Sequence, residues 1–289
     1  QALRYTKERI QGPDLAQATN RSAPRVPIIR HPDVRRMLLT QKAFTEGMRA
    51  LGLYAASIQD RVRLAGGHGH PEAKRLDRLN DLLLPLIKGY FSEKVYTLLG
   101  NSSLQCFGGA GYLKDYPIEQ YVRDQKIDTL YEGTTHIQAL DLLFRKVAKD
   151  GGATLQGLFK QIEETAKSDV GGEHCAVAKT RLSRALADVQ GIFLAAMQKM
   201  GDSIYHMGIQ GNRILFSLAE LTIGWLLIRQ AEVAAVAIEQ ASGKERSFYE
   251  GKLAIAHFFS GEVFPGLTLA RKQVEASSLE VMSLPDSAF

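Results

Sequence analysis

The stretch that decides the fold is residues 32–64, with the sequence PDVRRMLLTQKAFTEGMRALGLYAASIQDRVRL. Apolar side chains recur along it at intervals of three or four residues, apart from one interval of six. They are Val34, Leu38, Phe44, Met48, Leu51, Tyr54, Ile58 and Val62. This period puts the apolar groups on one face of an α-helix and predicts a long amphipathic helix over the whole stretch.

The same helical period continues through most of the chain, and Gln1 already lies within a helical pattern. The further predicted helices span residues 72–99, 134–149, 155–166, 174–200, 212–240 and 247–276. Pro265 predicts a kink in the last of these helices, because proline removes an amide donor. No stretch alternates as a strand does, and no Gly-x-Gly-x-x-Gly follows a strand. The chain is therefore predicted to be all-α.

Glycine, proline and polar residues mark the joints between the predicted helices. Residues 17–27 are polar and contain proline, and residues 66–71 (GGHGHP) are glycine-rich, so both are predicted loops. Asp150 and the two glycines after it end a helical run. We therefore predict one domain over residues 1–150 and an additional helical domain over residues 151–289.

Composition excludes several classes of protein. The chain has 289 residues, of which 45% are hydrophobic and 23% charged, and this is typical of one or two globular domains and not of a disordered chain. Cys106 and Cys175 are far apart with no Cys-x-x-Cys, which argues against a disulfide framework and a thiolate metal site. The most apolar stretch, 214–228, contains Glu220 and is shorter than the roughly 18 residues of a membrane span, so none is predicted.

The charge is concentrated near the beginning of the chain. The net charge is +5, and residues 1–50 hold ten Lys and Arg against four Asp and Glu. Such a basic stretch suits nucleic acid, anionic lipid or a phosphorylated small molecule. The first residue is Gln and not Met, so we expect a fragment or a processed chain.

Glycines and aromatic residues are concentrated in residues 103–138, SLQCFGGAGYLKDYPIEQYVRDQKIDTLYEGTTHIQ. The glycines at 108, 109 and 111 allow either close approach of a ligand to the backbone or a helix C-cap with a tight turn. Glu132 lies just ahead of a helix for which Thr134 or Thr135 is the predicted N-cap. Leu130 and Tyr131 would desolvate its carboxylate and raise its pKa, whereas the helix N-terminus favours the ionised form. A catalytic base and a capping carboxylate both remain open.

Together these motifs resemble the C-terminal helical domain of acyl-CoA dehydrogenases. The resemblance covers about residues 1–150, and residues 151–289 resemble the extra helical region of longer, bacterial-type and very-long-chain members. The resemblance implies a four-helix bundle followed by an additional helical domain. The motifs that carry it are Tyr5-x-x-x-Arg9-x-Gln11-Gly12, Gln105-x-x-Gly108-Gly109-x-Gly111-Tyr112, Tyr121-x-Arg123-Asp124-x-Lys126-Ile127 and Leu130-Tyr131-Glu132-Gly133-Thr134.

By this resemblance Glu132 is the catalytic base, which removes the α-proton of an acyl-CoA thioester while a hydride passes from the β-carbon to a flavin. The product is a trans-2-enoyl thioester, as in fatty-acid β-oxidation. The backbone amide of Glu132 and a flavin ribityl hydroxyl would polarise the thioester carbonyl. Tyr131 and Gly133 would line the acyl chamber.

The resemblance also implies FAD as the cofactor. Arg9 and Gln11 would contact its pyrophosphate, and Gln105 and Gly109 its adenosine end, in each case across a subunit interface. Thr134 would lie near the pyrophosphate, and His136 stands where relatives often have Gln. The sequence departs from the family at Gln11-Gly12, because relatives commonly have a Phe between these two residues.

The implied partners are acyl-CoA, the N-terminal part of the same enzyme, further copies in a dimer or tetramer, and an electron-transfer flavoprotein as acceptor. The implied location is the bacterial cytoplasm, with the mitochondrial matrix as the second choice. Two alternatives share the fold: an acyl-CoA oxidase that uses O₂, and a non-catalytic flavoprotein that binds DNA. Retention of Glu132 argues against nucleic acid as a partner. No metal is expected, because His68, His70 and Glu72 do not form a convincing three-ligand set.

Overall fold

The computed structural model describes residues 1–67 and 69–289, without the side chains of Glu132 and Gly133, and this part of the chain is mostly helical. His68, one of the two histidines weighed as a metal ligand, lies outside the described residues. The α-helices are α1 Ala2–Glu8, α2 Pro32–Leu64, α3 Pro71–Pro85, α4 Phe91–Leu98, α5 Gln105–Phe107, α6 Ile118–Asp128, α7 Thr135–Leu140, α8 Ala153–Lys167, α9 Gly172–Asp202, α10 Tyr205–Ala237, α11 Gly243–Glu262, α12 Phe264–Glu275 and α13 Glu280–Ser283.

Shorter helical turns connect several of these helices. The π-helical turns are Leu86–Tyr90, Leu99–Leu104, Thr129–Gly133 and Asp141–Val147. The 3₁₀ turns are Leu15–Gln17, Ile28–Arg30, Gly108–Tyr112, Ala148–Asp150 and Asp286–Ala288. The chain is therefore helical without interruption from Pro71 to Phe107, where the backbone of Gly108 ends the run.

Helix α2 spans the residues predicted from the hydrophobic period. Pro32 occupies its first turn, where a missing amide costs nothing, and Asp33 in the same turn suits the positive end of the helix dipole. The helix ends before Gly66 and Gly67, which have φ values of +94° and +82°. Glycine adopts this left-handed conformation readily, so the local sequence determines both ends of α2.

Two prolines change the helices that contain them. Pro85 lies inside the run predicted over 72–99, and a π-helical turn, Leu86–Tyr90, begins directly after it. Near Pro265 the structure has a break between α11 and α12, at Val263. Pro265 occupies the first turn of α12, where its missing amide has no helical partner to lose. In place of the predicted kink within one helix, the structure therefore has two separate helices.

The prediction that the chain has no strand is wrong. Strand β1 (Ile10–Pro13) pairs antiparallel with β2 (Arg25–Pro27), and only β2 lies inside the segment 17–27 that was predicted to be a loop. The Ile28 amide donates to the Arg9 carbonyl at 2.8 Å and extends the pairing by one bond. Strands of three and four residues show no alternation, so only pairing across the intervening loop reveals them. The mostly helical fold class is confirmed.

One large hydrophobic core joins helices from both halves of the chain. Helix α10 lies at its centre and packs on α2, α7, α9 and α11. Among its fully buried side chains are Ile223, Trp225 and Leu227. Helices of the two halves also approach closely, since a Cβ atom on Gly89 would lie 2.7 Å from Leu215. The division at residues 150 and 151 stays a prediction.

Within residues 1–67 and 69–289, two helical stretches are long and apolar enough to cross a membrane, judged by length and composition only. In Tyr205–Ala237, which is α10, 78% of the apolar window is buried inside the protein, and in Gly243–Glu275 the value is 39%. The expectation of no such segment underestimated α10, because the apolar run extends on both sides of residues 214–228. Its position in the core accounts for the apolar composition of α10.

Candidate functional site

The predicted catalytic segment is the joint between α6 and α7. Residues Thr129–Gly133 form a π-helical turn, which includes Glu132 and Gly133, and α7 begins at Thr135. The side chains of these two residues lie outside the described part of the structure. The turn packs on α4 and on the π-helical turn Leu86–Tyr90, so a helical layer supports the backbone of the predicted base.

Thr134 connects the turn to α7 in a strained conformation. Its φ and ψ are +39° and +58°, and no other non-glycine residue in the described part of the chain has a positive φ. The left-handed region costs an ordinary residue about 1–2 kcal/mol, and a β-branched side chain is rare there. Strained backbone of this kind is concentrated at ligand-binding and catalytic sites.

Thr134 occupies the predicted N-cap position, but its side chain does not cap the helix. The Thr134 hydroxyl donates instead to the carbonyl of Leu130 at 3.2 Å. The Thr135 hydroxyl donates to Oε1 of Glu93 on α4 at 2.6 Å. The two threonines therefore tie the beginning of α7 backward to the turn and sideways to α4.

The apolar neighbours of Glu132 are exposed in this chain. Leu130 is 62% exposed and Tyr131 is 78% exposed. The expectation that these two side chains desolvate the carboxylate concerns the Glu132 side chain, which lies outside the described residues, so it stays a prediction. Desolvation needs a further surface that covers Leu130 and Tyr131.

A second group of predicted site residues lies on the hairpin and on the glycine segment. Arg9 and Gln11 are two residues apart in extended backbone, which puts both side chains on the same side, and both are exposed. Nε2 of His31 lies 2.7 Å from the Gln11 carbonyl oxygen, and this contact stabilises the hairpin.

An aromatic cluster joins this hairpin end to the glycine segment. The ring of Tyr5 on α1 stacks on Phe107 at 4.5 Å between ring centroids, and Tyr116 contacts both rings at 5.5 and 5.0 Å. Cys106 is buried in the same cluster, and burial raises the pKa of its thiol. The cluster brings two motifs together that are about 90 residues apart in the sequence.

Each glycine of the segment has a different role. Gly108 ends α5 with φ +57°, and a Cβ on Gly111 would lie 2.8 Å from the Leu104 carbonyl oxygen, so these two glycines serve the turn and its packing. A Cβ on Gly109 would meet nothing within 4 Å. Gly109 and the exposed Gln105 therefore leave open space at the position predicted for a ligand.

The predicted cofactor contacts fall into two separate groups. Gly109 precedes α6 and Thr134 follows it, and the 11 residues of α6 span about 16 Å. Arg9, Gln11 and Gln105 belong to the first group. His136 belongs to the second, and its Nδ1 lies 3.4 Å from Oδ1 of Asn212 on α10.

Sequence reasoning missed several residues around the site. Glu93, Asn212 and Tyr5 act through contacts with Thr135, His136 and Phe107, which lie far from them in the sequence. Only Tyr5 had a signal, as the first residue of a motif. Across residues 1–67 and 69–289, no three His, Cys, Asp or Glu side chains come together as a metal site would need.

Two family profiles match the chain in succession. The profile "Acyl-CoA dehydrogenase, C-terminal domain" matches residues 14–146, and "Acetyl-CoA dehydrogenase C-terminal like" matches residues 158–285. The chain belongs to the acyl-CoA dehydrogenase family. The family predicted from the four motifs is confirmed.

Curated members of the acyl-CoA dehydrogenase family are similar along nearly the whole chain. The broad-specificity linear acyl-CoA dehydrogenase FadE5 of Mycobacterium tuberculosis is 48% identical over 100% of this chain and 48% of its own length. The 3-methylmercaptopropionyl-CoA dehydrogenase of Ruegeria pomeroyi is 34% identical over 91% of this chain and 43% of its own length. The chain thus spans about half the length of these relatives, in agreement with the expected C-terminal part.

Solved structures of the family share the fold. Caenorhabditis elegans ACDH-11, solved with C11-CoA, has a TM-score of 0.71 and 19% identity, over 98% of this chain and 43% of its own. A Bacillus anthracis acyl-CoA dehydrogenase, solved with FAD, has a TM-score of 0.69 and 20% identity, over 99% of this chain and 46% of its own.

Proposed function

We propose that this chain is the C-terminal part of an FAD-dependent dehydrogenase that converts acyl-CoA to trans-2-enoyl-CoA in fatty-acid β-oxidation. The observation that carries this is the 48% identity along the whole chain with a broad-specificity linear acyl-CoA dehydrogenase. The Glu132 segment, held between α4 and α7 next to a strained residue, supports the position of the base.

Glu132 removes the α-proton of the acyl thioester. This proton is a weak acid in water, so the site must stabilise the negative charge that develops on the thioester oxygen, and the backbone amide of Glu132 donates to it. Exclusion of water strengthens the carboxylate as a base. Tyr131 and Gly133 line the acyl chamber around the reacting carbons.

The described residues fit FAD at both ends of α6. The exposed guanidinium of Arg9 suits two phosphates, and Gln11 points to the same side. Gln105 and Gly109 leave room for the adenosine end, since a Cβ on Gly109 meets nothing within 4 Å. Thr134 would contact FAD near the pyrophosphate, and His136 would be a further contact beside it. When bound, the flavin supplies the acceptor for the hydride of the β-carbon.

The N-terminal half of the same protein completes the site. Tyr131 is 78% exposed in this chain, so a covering surface is needed before the carboxylate beside it loses its water. The remaining partners are further copies of the protein in a dimer or tetramer and an electron-transfer flavoprotein that reoxidises the cofactor. We place the enzyme in the bacterial cytoplasm, since the similar curated relatives FadE5 and the Ruegeria enzyme are bacterial.

The substitution Glu132→Gln in the full-length protein tests the proposal. It removes the base and keeps the shape, so we expect turnover with a ferrocenium acceptor to fall by about 10²–10⁴-fold, which is typical for loss of a general base. FAD content and acyl-CoA affinity should change less than twofold. Near-native turnover of the variant would locate the base elsewhere and refute the assignment.

A further inference from the structure

A groove lies between α3, α8 and the C-terminal end of α2, away from the Glu132 segment. It consists of two adjoining cavities of about 350 and 380 Å³, which share Arg75, Leu79, Gly157 and Gln161 as lining residues. Arg75 precedes the turn Leu86–Tyr90 by eleven residues along the helical run, which is about 16 Å. We propose that this groove binds a nucleoside diphosphate.

The cations of the groove form no close ion pair with a carboxylate. Within residues 1–67 and 69–289, none of these side chains lies within 4.0 Å of a carboxylate oxygen, whereas the nearby Arg63 and Lys167 pair with Asp60 and Glu163. Five cations without an ion pair within this distance line the groove: Arg61, Lys74, Arg75, Arg78 and Lys160. They come from three helices, so only the tertiary structure collects them.

Two carboxylates also line the groove. Asp150 accepts hydrogen bonds from the amide and the hydroxyl of Thr154, the former at 3.1 Å. Burial acts to raise the pKa of Asp150, but the Thr154 hydrogen bonds and the charge of Arg78 outweigh it and hold the pKa below its usual range. The second carboxylate is Glu164. The groove is therefore lined by two negative and five positive side chains. The excess favours an anionic ligand.

The floor of the groove is apolar and open. Leu76, Leu79 and Leu158 form it, each at most 5% exposed. Gly157 lines both cavities, and a Cβ added to it would meet nothing within 4 Å. Glycine inside a helix costs about 1 kcal/mol relative to alanine, and no packing contact of this chain requires it here. Its lack of a side chain keeps the groove wide.

A phosphate-bearing ligand with a flat, less polar part fits this combination. One guanidinium group can donate two parallel hydrogen bonds to the oxygens of one phosphate. A diphosphate has enough oxygens to bind several of the cations at once. The leucine floor suits a nucleobase and ribose. No described lining residue is aromatic, so stacking of successive bases, as in single-stranded nucleic acid, is not supported.

The test is calorimetric titration of the full-length, FAD-loaded protein with ADP, pyrophosphate and adenosine. A non-oxidisable acyl-CoA analogue is present at saturation, so that the substrate site cannot take up the probes. We expect ADP to bind with one site per chain, pyrophosphate to compete with it, and adenosine to bind at least tenfold more weakly. The ADP affinity should fall at least tenfold between 50 and 200 mM salt.

Variants of the groove locate the binding. Arg75→Glu and Arg78→Glu should each weaken ADP binding at least tenfold, and Gly157→Leu should do the same by filling the groove without a change of charge. Lys244→Glu is the matched control, because it makes the same change of charge in the first turn of α11, which does not line the groove. All four variants should keep the native circular dichroism spectrum and turnover within twofold of the native rate.

Three results would overturn the proposal. The first is the absence of saturable ADP binding while the substrate site is filled. The second is an equal loss of ADP binding in Lys244→Glu and in the groove variants. The third is binding to phosphatidylglycerol vesicles without ADP binding, which would assign the cations to a lipid surface. None of these results bears on Glu132, so the proposed dehydrogenation stands or fails separately.

Discussion

The substitution Gly47→Ala tests whether the two halves of the chain share one core. Gly47 on α2 faces α10, where an added Cβ would overlap the Cγ2 methyl of Ile223 and lie 3.3 Å from Cδ1 of Leu227. Both neighbours are 0% exposed, and the branched Ile223 has little freedom to turn away. One methyl group in the first half should therefore disturb the second half.

The magnitude follows from two opposing effects. Forcing a carbon into a packed core costs about 1–3 kcal/mol, and an overlap this close belongs at the upper end, about 3 kcal/mol. Alanine in place of glycine stabilises a helix by about 1 kcal/mol. The net expectation is a loss of about 2 kcal/mol in the free energy of unfolding.

The assay is urea unfolding of the 289-residue chain, followed by far-ultraviolet circular dichroism and by fluorescence. Trp225 is the single tryptophan and is buried in α10, so its fluorescence reports on α10 and on the ring of Tyr54 of α2, 5.5 Å away between ring centroids. With an m-value of about 3 kcal/mol per molar, the midpoint should fall by about 0.7 M in both signals.

The matched control is Gly52→Ala on the same helix. A Cβ there would meet nothing within 4 Å, so only the helix preference acts and the midpoint should rise by about 0.3 M. An increase in both variants would refute the steric argument. An early transition in circular dichroism with an unchanged Trp225 transition would refute the shared core and favour two independent domains.

Two further predictions concern buried charges. Lys179→Met should cost about 3–5 kcal/mol, because it leaves Glu232, 2.6 Å from the Lys179 amine, without its partner, and Lys244→Met should change little. A melting temperature within 2 °C of the native value would contradict this, and adding Glu232→Gln should recover part of the loss. Burial raises the pKa of Glu220 above 4.5, against the charge of Lys94 and the Tyr90 hydrogen bond. The folded chain therefore holds this proton more tightly than the unfolded chain, and the part of the stability due to Glu220 falls as the pH rises above 4.5. Glu220→Gln should remove that fall in urea midpoints at pH 5 and 7.5, and an unchanged pH slope would refute the assignment.

The helices show how far local pattern extends. Helix α2 agreed with its prediction at both ends because a repeat of three or four residues and a glycine stop are local properties. Helix α10 began seven residues before its predicted start at 212, because its first turns are buried through contacts with the segment just after α12, such as Gln210 with Ser277, and not through a local period. The hairpin of Ile10 with Pro27 was missed because such short strands leave no period.

The sequence by itself determined the helical fold class, most helix positions and the family. The hydrophobic period and the short motifs are local, since each depends only on residues that are close together in the sequence. Only the tertiary structure decided how the site is supported. The strain at Thr134, the bond from Thr135 to Glu93 42 residues away and the exposure of Tyr131 all depend on which helices pack together. The same is true of the groove cations between α2, α3 and α8, which are scattered in the sequence. A side chain's partners depend on distances in the folded chain, and the order of residues leaves those distances undetermined until the core is packed.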